Sequence, residues 1–156
     1  MNVCILAPQD NIVFAKNLLN NIKNVKSILV VSSDELENED GILVNKRLEK
    51  ADVFLAVIDK EFNSIFFLIY ELILAKMIVG EKKKKTLIPV ILDDAKPPRC
   101  IEEDGILYIK CNSNSYQDIQ SLKNIIVNII GQRKHTIKLD IENKKIIKLL
   151  FSMIMR

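Results

Sequence analysis

Five short apolar runs that do not alternate with polar residues limit what this chain can fold into. They are NVCIL (2–6), SILVV (27–31), VFLAVI (53–58), LIPVIL (87–92) and ILYI (106–109). A strand with one wet face alternates apolar and polar side chains. A strand apolar at every position is buried on both faces, as in a parallel sheet covered by helices. Helical patterns fill the intervals. Ala15, Leu18, Leu19 and Ile22 share one face, with Asp10 or Asn11 placed to cap it. Asp40 and Gly41 open a short helix through Leu48. Ile119, Leu122, Ile126, Ile129 and Ile130 form another stripe, preceded by Ser115 and Asp118 at capping-box spacing and followed by Gly131 at the C′ position. Strands and helices in this order predict a doubly wound, five-stranded parallel sheet of the α/β class.

The fourth crossover, residues 93–105, reads as more loop than helix because Pro97-Pro98 blocks a long one. Residues 132–156 lie beyond the five-strand unit. There 136–140 suggest a further strand, and 143–155 an apolar helix carrying Ile146, Ile147, Leu150, Phe151 and Ile154. The expected division is a domain over 1–131 and an extension over 132–156 that packs back or serves as an interaction segment.

Composition removes several function classes. Hydrophobic residues make up 49% of the 156, enough to bury a core, and the net charge of +3 is too balanced for a chain built to coat nucleic acid. Cys4, Cys100 and Cys111 form no CxxC pair and His135 is the only histidine, so neither a disulfide scaffold nor a metal site is expected. The four lysines at 82–85 lack interleaved aromatics and read as a solvated loop. No GxGxxG or P-loop motif occurs, and no basic-then-apolar leader opens the chain, so a cytoplasmic setting is expected. The apolar run 65–79 contains Glu71 and Lys76 and is shorter than the about 20 residues needed to span a bilayer. Asp59 stands where a receiver domain carries its phosphoacceptor, but Ala7-Pro8 lacks the acidic pair such a site needs.

Within that run, Glu71 asks for an explanation. A helix this apolar all round is buried on most faces. A carboxylate in its middle must pair, or keep its proton. Two readings stand. Glu71 lies on a narrow polar stripe with Lys76, or it faces a pocket beyond the carboxyl ends of the strands, where open α/β sheets bind ligands.

Four segments together resemble the TIR (Toll/interleukin-1 receptor) domain family, over roughly residues 1–131. NVCILAPQDN followed by FAKNLLNNI resembles the opening strand, polar loop and first helix. SSDELENEDGILVNKRLEKADVFLAVI resembles the second strand's end, the BB loop and the approach to the third strand, with Asp34, Gly41, Ala51 and Asp52 in the family's places. FNSIFFLIYELILA resembles the third helix, where Ser64, Phe67 and Glu71 match the small residue, aromatic and catalytic Glu of enzymatic members. LIPVILDDAKPP resembles the fourth strand and its Pro-bearing loop. The loop at Ala7-Pro8-Gln9 departs from the family by lacking a Ser-Tyr or Arg, Phe67 replaces the usual Trp, and no Cys stands near Glu71.

The resemblance implies a flavodoxin-like fold and cleavage of the nicotinamide–ribose bond of NAD⁺, which is substrate rather than cofactor. The products are nicotinamide and ADP-ribose or a cyclic relative. Glu71 would be the catalytic carboxylate. Phe67 would pack on the ribose or nicotinamide ring, or be a plain core aromatic. Amides of the Pro8, Gln9 and Asp10 loop would meet the phosphates with the first helix's N-terminus, Pro8 having no N–H to give. Ser33 and Asp34 would begin the BB loop that closes over the site or docks a neighbour, Asp34 otherwise being a turn residue. Ser64 would be a ligand or, more simply, the helix N-cap. Self-association through TIR–TIR contacts, a sensor or effector partner and a role in bacterial anti-phage defence or signalling follow from the same resemblance. Two other classes remain open: a non-catalytic TIR adaptor, and a nucleoside deoxyribosyltransferase-like enzyme, which also uses a Glu but usually has a Gly-rich approach to its site.

Overall fold

A computed structural model describes residues 1–30, 47–82 and 84–132. Five parallel strands, β1 (Asn2–Leu6), β2 (Ser27–Val30), β3 (Val53–Ile58), β4 (Thr86–Leu92) and β5 (Ile109–Cys111), form one sheet in the order β2-β1-β3-β4-β5. The helices are α1 (Ile12–Leu18), α2 (Phe66–Glu81), α3 (Arg99–Glu103) and α4 (Tyr116–Gln132), and residues 47–50 are also helical. This is the expected flavodoxin-like, doubly wound α/β architecture.

The two-residue period of a strand divides the core. Val3 and Ile5 of β1, with Val53, Leu55 and Val57 of β3, face α1 and α4 through Ala15, Leu18, Leu122 and Ile126. Cys4 and Leu6, with Phe54, Ala56 and Ile58, face the other way and pack with Leu68, Leu72 and Ala75 of α2 and Ile101 of α3. Every residue of β3 is buried, which is why its sequence reads as one unbroken apolar run. Each large side chain so buried contributes about 1.5–3 kcal/mol.

Four local expectations need correction. β5 begins at Ile109, not 106. The preceding residues are used to end α3. Gly105, at φ +61°, donates to the Glu102 carbonyl, and Ile106 donates to that of Ile101, a Schellman closure. Ile106 and Tyr108 then pack under α2 and α3 instead of joining the ladder. Gly131 is not a C′ residue, because α4 runs on to Gln132. Buried Ile129 and Ile130 hold this last turn, outweighing the roughly 1 kcal/mol cost of a helical glycine. Asn11 stands at the N-cap of α1 without a side-chain capping bond. The capping box of α4 is half made: the Asp118 N–H donates to Ser115 Oγ at 3.2 Å, while the Asp118 carboxylate accepts from the Asn112 N–H.

The expected short fourth crossover is present, α3 following Pro98 at its N-cap. Val31, residues 40–46 of the short helix, and the strand and helix expected within 133–156 lie outside the described residues. Among the described residues no helix is long and apolar enough to cross a membrane.

Candidate functional site

Glu71 sits in the middle of α2 with no solvent exposure, the sole buried charged side chain among the described residues. Among the described residues neither carboxylate oxygen has a hydrogen-bond partner. The reading of Glu71 as part of a polar surface stripe is therefore wrong. Lys76 lies on another flank of α2, pairing with Asp104 at 2.5 Å and donating to the Cys100 carbonyl at 3.3 Å.

Burial pushes the Glu71 carboxyl up to about 8, since no cation or donor offsets the loss of water. At neutral pH the group holds its proton. Cys4, on the α2-facing side of β1, is close enough for the Glu71 charge to add to burial and push its thiol up to about 12. The reading that no Cys stands near Glu71 is therefore corrected: Cys4 is distant in sequence but adjacent in the fold, as alternation along NVCIL, which puts Cys4 and Leu6 on one face, allows.

Phe67 precedes Glu71 by one helical turn and lies on the same flank of α2, half-buried at the margin of the core. Phe66 beside it is 85% exposed. Ser64 does not cap α2. The helix starts at Phe66 with Ile65 at the N-cap, and Ser64 Oγ donates to the Glu61 carbonyl at 2.7 Å within the short turn Phe62–Ser64.

The loop after β1 forms a single 3-10 turn, Gln9–Asn11, with Pro8 buried at its N-cap and Gln9 and Asp10 exposed. That turn closes when the Asn11 N–H donates to the Pro8 carbonyl at 2.9 Å. Asn11 Nδ2 donates to Asp59 Oδ2 at 2.6 Å, and Asp59 Oδ1 accepts from the N–H groups of Glu61 and Phe62. Asp59 thus organises the loops at the carboxyl ends of β1 and β3. The sequence points to Asp59 only as a receiver-type phosphoacceptor and gives it no part in the site. Ser33 and Asp34 lie outside the described residues.

A groove of about 660 Å³ runs between α2 and α3, lined by Ile69, Ile73, Pro97, Pro98 and Cys100 among others. It lies on the flank of α2 turned away from Phe67 and Glu71. A smaller acidic hollow of about 460 Å³ at the ends of β4 and β5 contains Asp93, Asp94 and Asp118. Asp93 already accepts from the backbone and hydroxyl of Ser113. Neither space contains Glu71. Among the described residues no group of three or more His, Cys, Asp or Glu side chains is arranged to hold a metal ion.

The structure is similar to the crystal structure of the RPS4 and RRS1 TIR domain heterodimer, with a TM-score of 0.55 over 85% of this chain and 98% of that one. The fold is TIR-like. At 15% sequence identity the likeness concerns the backbone arrangement alone. No protein-family model and no curated protein matches the sequence. In the TIR-like frame α2 is the helix after the third strand, so Glu71 projects from the element that crosses from β3 to β4.

Proposed function

We propose that this TIR-like domain is an NAD⁺ nucleosidase in which Glu71 acts on the nicotinamide ribose. The observation that carries the reading is a carboxylate buried without a partner in the middle of an apolar helix. Such a group costs about 1–3 kcal/mol or more in a resting protein, and strongly perturbed carboxyls of this kind cluster at functional sites.

The chemistry suits one carboxylate. Nicotinamide leaves a cationic ring as a neutral molecule, so no acid need protonate it. The ribose carbon left behind carries oxocarbenium-like positive charge, which an adjacent carboxylate stabilises. Water then adds to give ADP-ribose and a proton, or an adenine ring nitrogen adds to give a cyclic product. In the closed domain Glu71 is protonated. A cationic substrate beside it lowers its pKa and draws out the charged form the transition state needs. In this reading Phe67, one turn earlier, packs on the ribose or nicotinamide ring, and the Gln9–Asp10 turn meets the phosphates.

Because Glu71 has no exposure, substrate reaches it only when the flank of α2 carrying Phe67 opens. Self-association through TIR–TIR contacts is the proposed trigger, the similar structure being a TIR domain heterodimer. The enclosure of Glu71 also favours a second reading, a non-catalytic TIR adaptor that never opens. Incubating the protein at high concentration, with and without a fused oligomeriser, with NAD⁺ and measuring nicotinamide decides between them. The enzyme reading expects release that disappears in folded Glu71→Gln. Release unchanged in that variant removes Glu71, and no release even from the oligomerised protein leaves the adaptor. Base exchange on deoxynucleosides instead would mark the deoxyribosyltransferase class.

A further inference from the structure

The buried positions of α2 are Leu68, Glu71, Leu72 and Ala75, which follow the i, i+3, i+4, i+7 spacing of one helix face. That face lies on the sheet, where its apolar members pack with Cys4, Leu6 and Phe54. Glu71 therefore sits in the layer between helix and sheet. Cys4 meets it there from the sheet side. Its strand, β1, holds it between Leu29 of β2 and Phe54 of β3, and it is 1% exposed.

Chemistry singles Cys4 out. Among the described residues, every other buried side chain of this cluster is a hydrocarbon, so the thiol alone can donate a hydrogen bond from within it. Cys100 and Tyr108 stand half-buried at the margin, and the charges felt by Cys100 are those of Lys76 and Asp104. Lys76 is paired with Asp104, and Asp59 is held by Asn11 and the turn after β3. Cys111, the other buried cysteine, packs on the opposite side of the sheet and donates to the Asn112 carbonyl at 3.7 Å. Burial first, and the Glu71 charge second, keep the Cys4 thiol protonated. A protonated thiol is a donor, and an ionised carboxylate gains more from a donor than a neutral acceptor does. In the resting domain Glu71 keeps its own proton. Once a cationic substrate draws that proton off, the carboxylate is left in an apolar layer with this thiol beside it.

We propose that Cys4 is the positioning residue of Glu71: its S–H turns to the carboxylate when Glu71 ionises and holds it in the charged form that the ribose requires. The inference rests on the nucleosidase reading above and deepens it. Cys4 touches neither ribose nor nicotinamide and acts through Glu71 alone.

A carbon NMR titration of the full chain, labelled at the glutamate carboxyl carbons and free of NAD⁺, tests the pair directly. The Glu71 signal is the one missing from Glu71→Gln. Cys4→Ala removes the donor and is expected to raise the Glu71 midpoint by about half a pH unit or more, a gain of roughly threefold in proton affinity. Cys4→Ser keeps a donor and is expected to hold the midpoint at or below the wild-type value. Cys4→Val, which fills the space without a donor, carries the same test should the alanine variant lose its circular dichroism signal. A midpoint equal to wild type in the variants lacking a donor overturns the proposal, as does a serine variant that behaves like alanine. Cys4 would then be a small core residue and nothing more. In the oligomerised protein, the acid limb of the pH profile of nicotinamide release is expected to move in the same order. Release by Cys4→Ala falls about threefold at neutral pH and recovers at higher pH. Absence of release from wild type counts against the nucleosidase reading alone, whereas an unmoved carboxyl midpoint counts against Cys4 alone.

Discussion

Asn11 and Asp59 join the loops that follow β1 and β3 through a 2.6 Å hydrogen bond, although 48 residues separate them. The half-buried Asp59 also receives two backbone N–H groups, at 2.9 and 3.0 Å, and so sets the turn that leads into α2. Asp59→Ala removes all three side-chain bonds, leaving the Phe62 N–H only its longer bond to the carbonyl of residue 59 at 3.3 Å. The expected cost is about 1–3 kcal/mol, read as a lower urea midpoint at unchanged m-value. Asn11→Ala, which removes only one of the three bonds, should cost less. Equal costs would show that Asp59 does not act through the backbone of Glu61 and Phe62.

Glu71 makes stability depend on pH in an unusual direction. Its carboxyl is raised from 4.5 to about 8 in the folded protein, so the folded state keeps a proton that the unfolded chain releases. The unfolded state then binds fewer protons, and stability falls as pH rises between those two values before levelling off. The effect is on the order of a few kcal/mol. Glu71→Gln lacks it, so the stability gap between variant and wild type is expected to widen in the variant's favour from pH 5 to pH 8. A gap that stays flat over this range would mean that Glu71 is ionised and paired in solution.

Gly105 ends α3 in the left-handed region, and a Cβ there would meet nothing within 4 Å. Gly105→Ala therefore tests backbone conformation without steric conflict. The expected loss is about 1 kcal/mol, measured by thermal unfolding. Gly80→Ala is the control, since Gly80 lies inside α2 with open space at its Cβ position. That substitution should stabilise by about 0.5–1 kcal/mol.

The thiols should separate by burial. Cys4 and Cys111 are buried, with burial the larger cause that pushes them up to about 12 and about 11, whereas Cys100 is half-exposed. A thiol reagent at pH 8 is expected to label Cys100 first, and the other two only after unfolding. Labelling of Cys4 in the native protein would reveal an opening of the space next to Glu71. NAD⁺ accelerating that labelling would link the opening to substrate.

Local sequence made part of this molecule legible. The bounds of β1 and β3 follow from their apolar runs because each is hydrogen-bonded and covered on both sides. The run ILYI predicts β5 three residues early, since it is as apolar as a strand whether its side chains enter the ladder or pack beneath a helix. Ser64 looks like a cap by type and position, but a 3-10 turn intervenes before α2 and takes its hydroxyl. The lysines at 82–85 read as solvated, yet Lys85 is half-buried and donates to the carbonyls of Glu49 and Ala51.

What the sequence determined alone was the layering, because the periods of strands and helices are local properties of the backbone. It also marked Glu71 as a carboxylate in apolar company. Only tertiary structure decided that this carboxylate has no partner among the described residues, that Cys4 lies beside it, and that Phe66 and Met77 on another face of the same helix are exposed. Those facts depend on which flank of α2 turns toward β1, toward α3 and toward water. An all-apolar helix carries no amphipathic signal to fix that rotation, so packing against the sheet had to supply it.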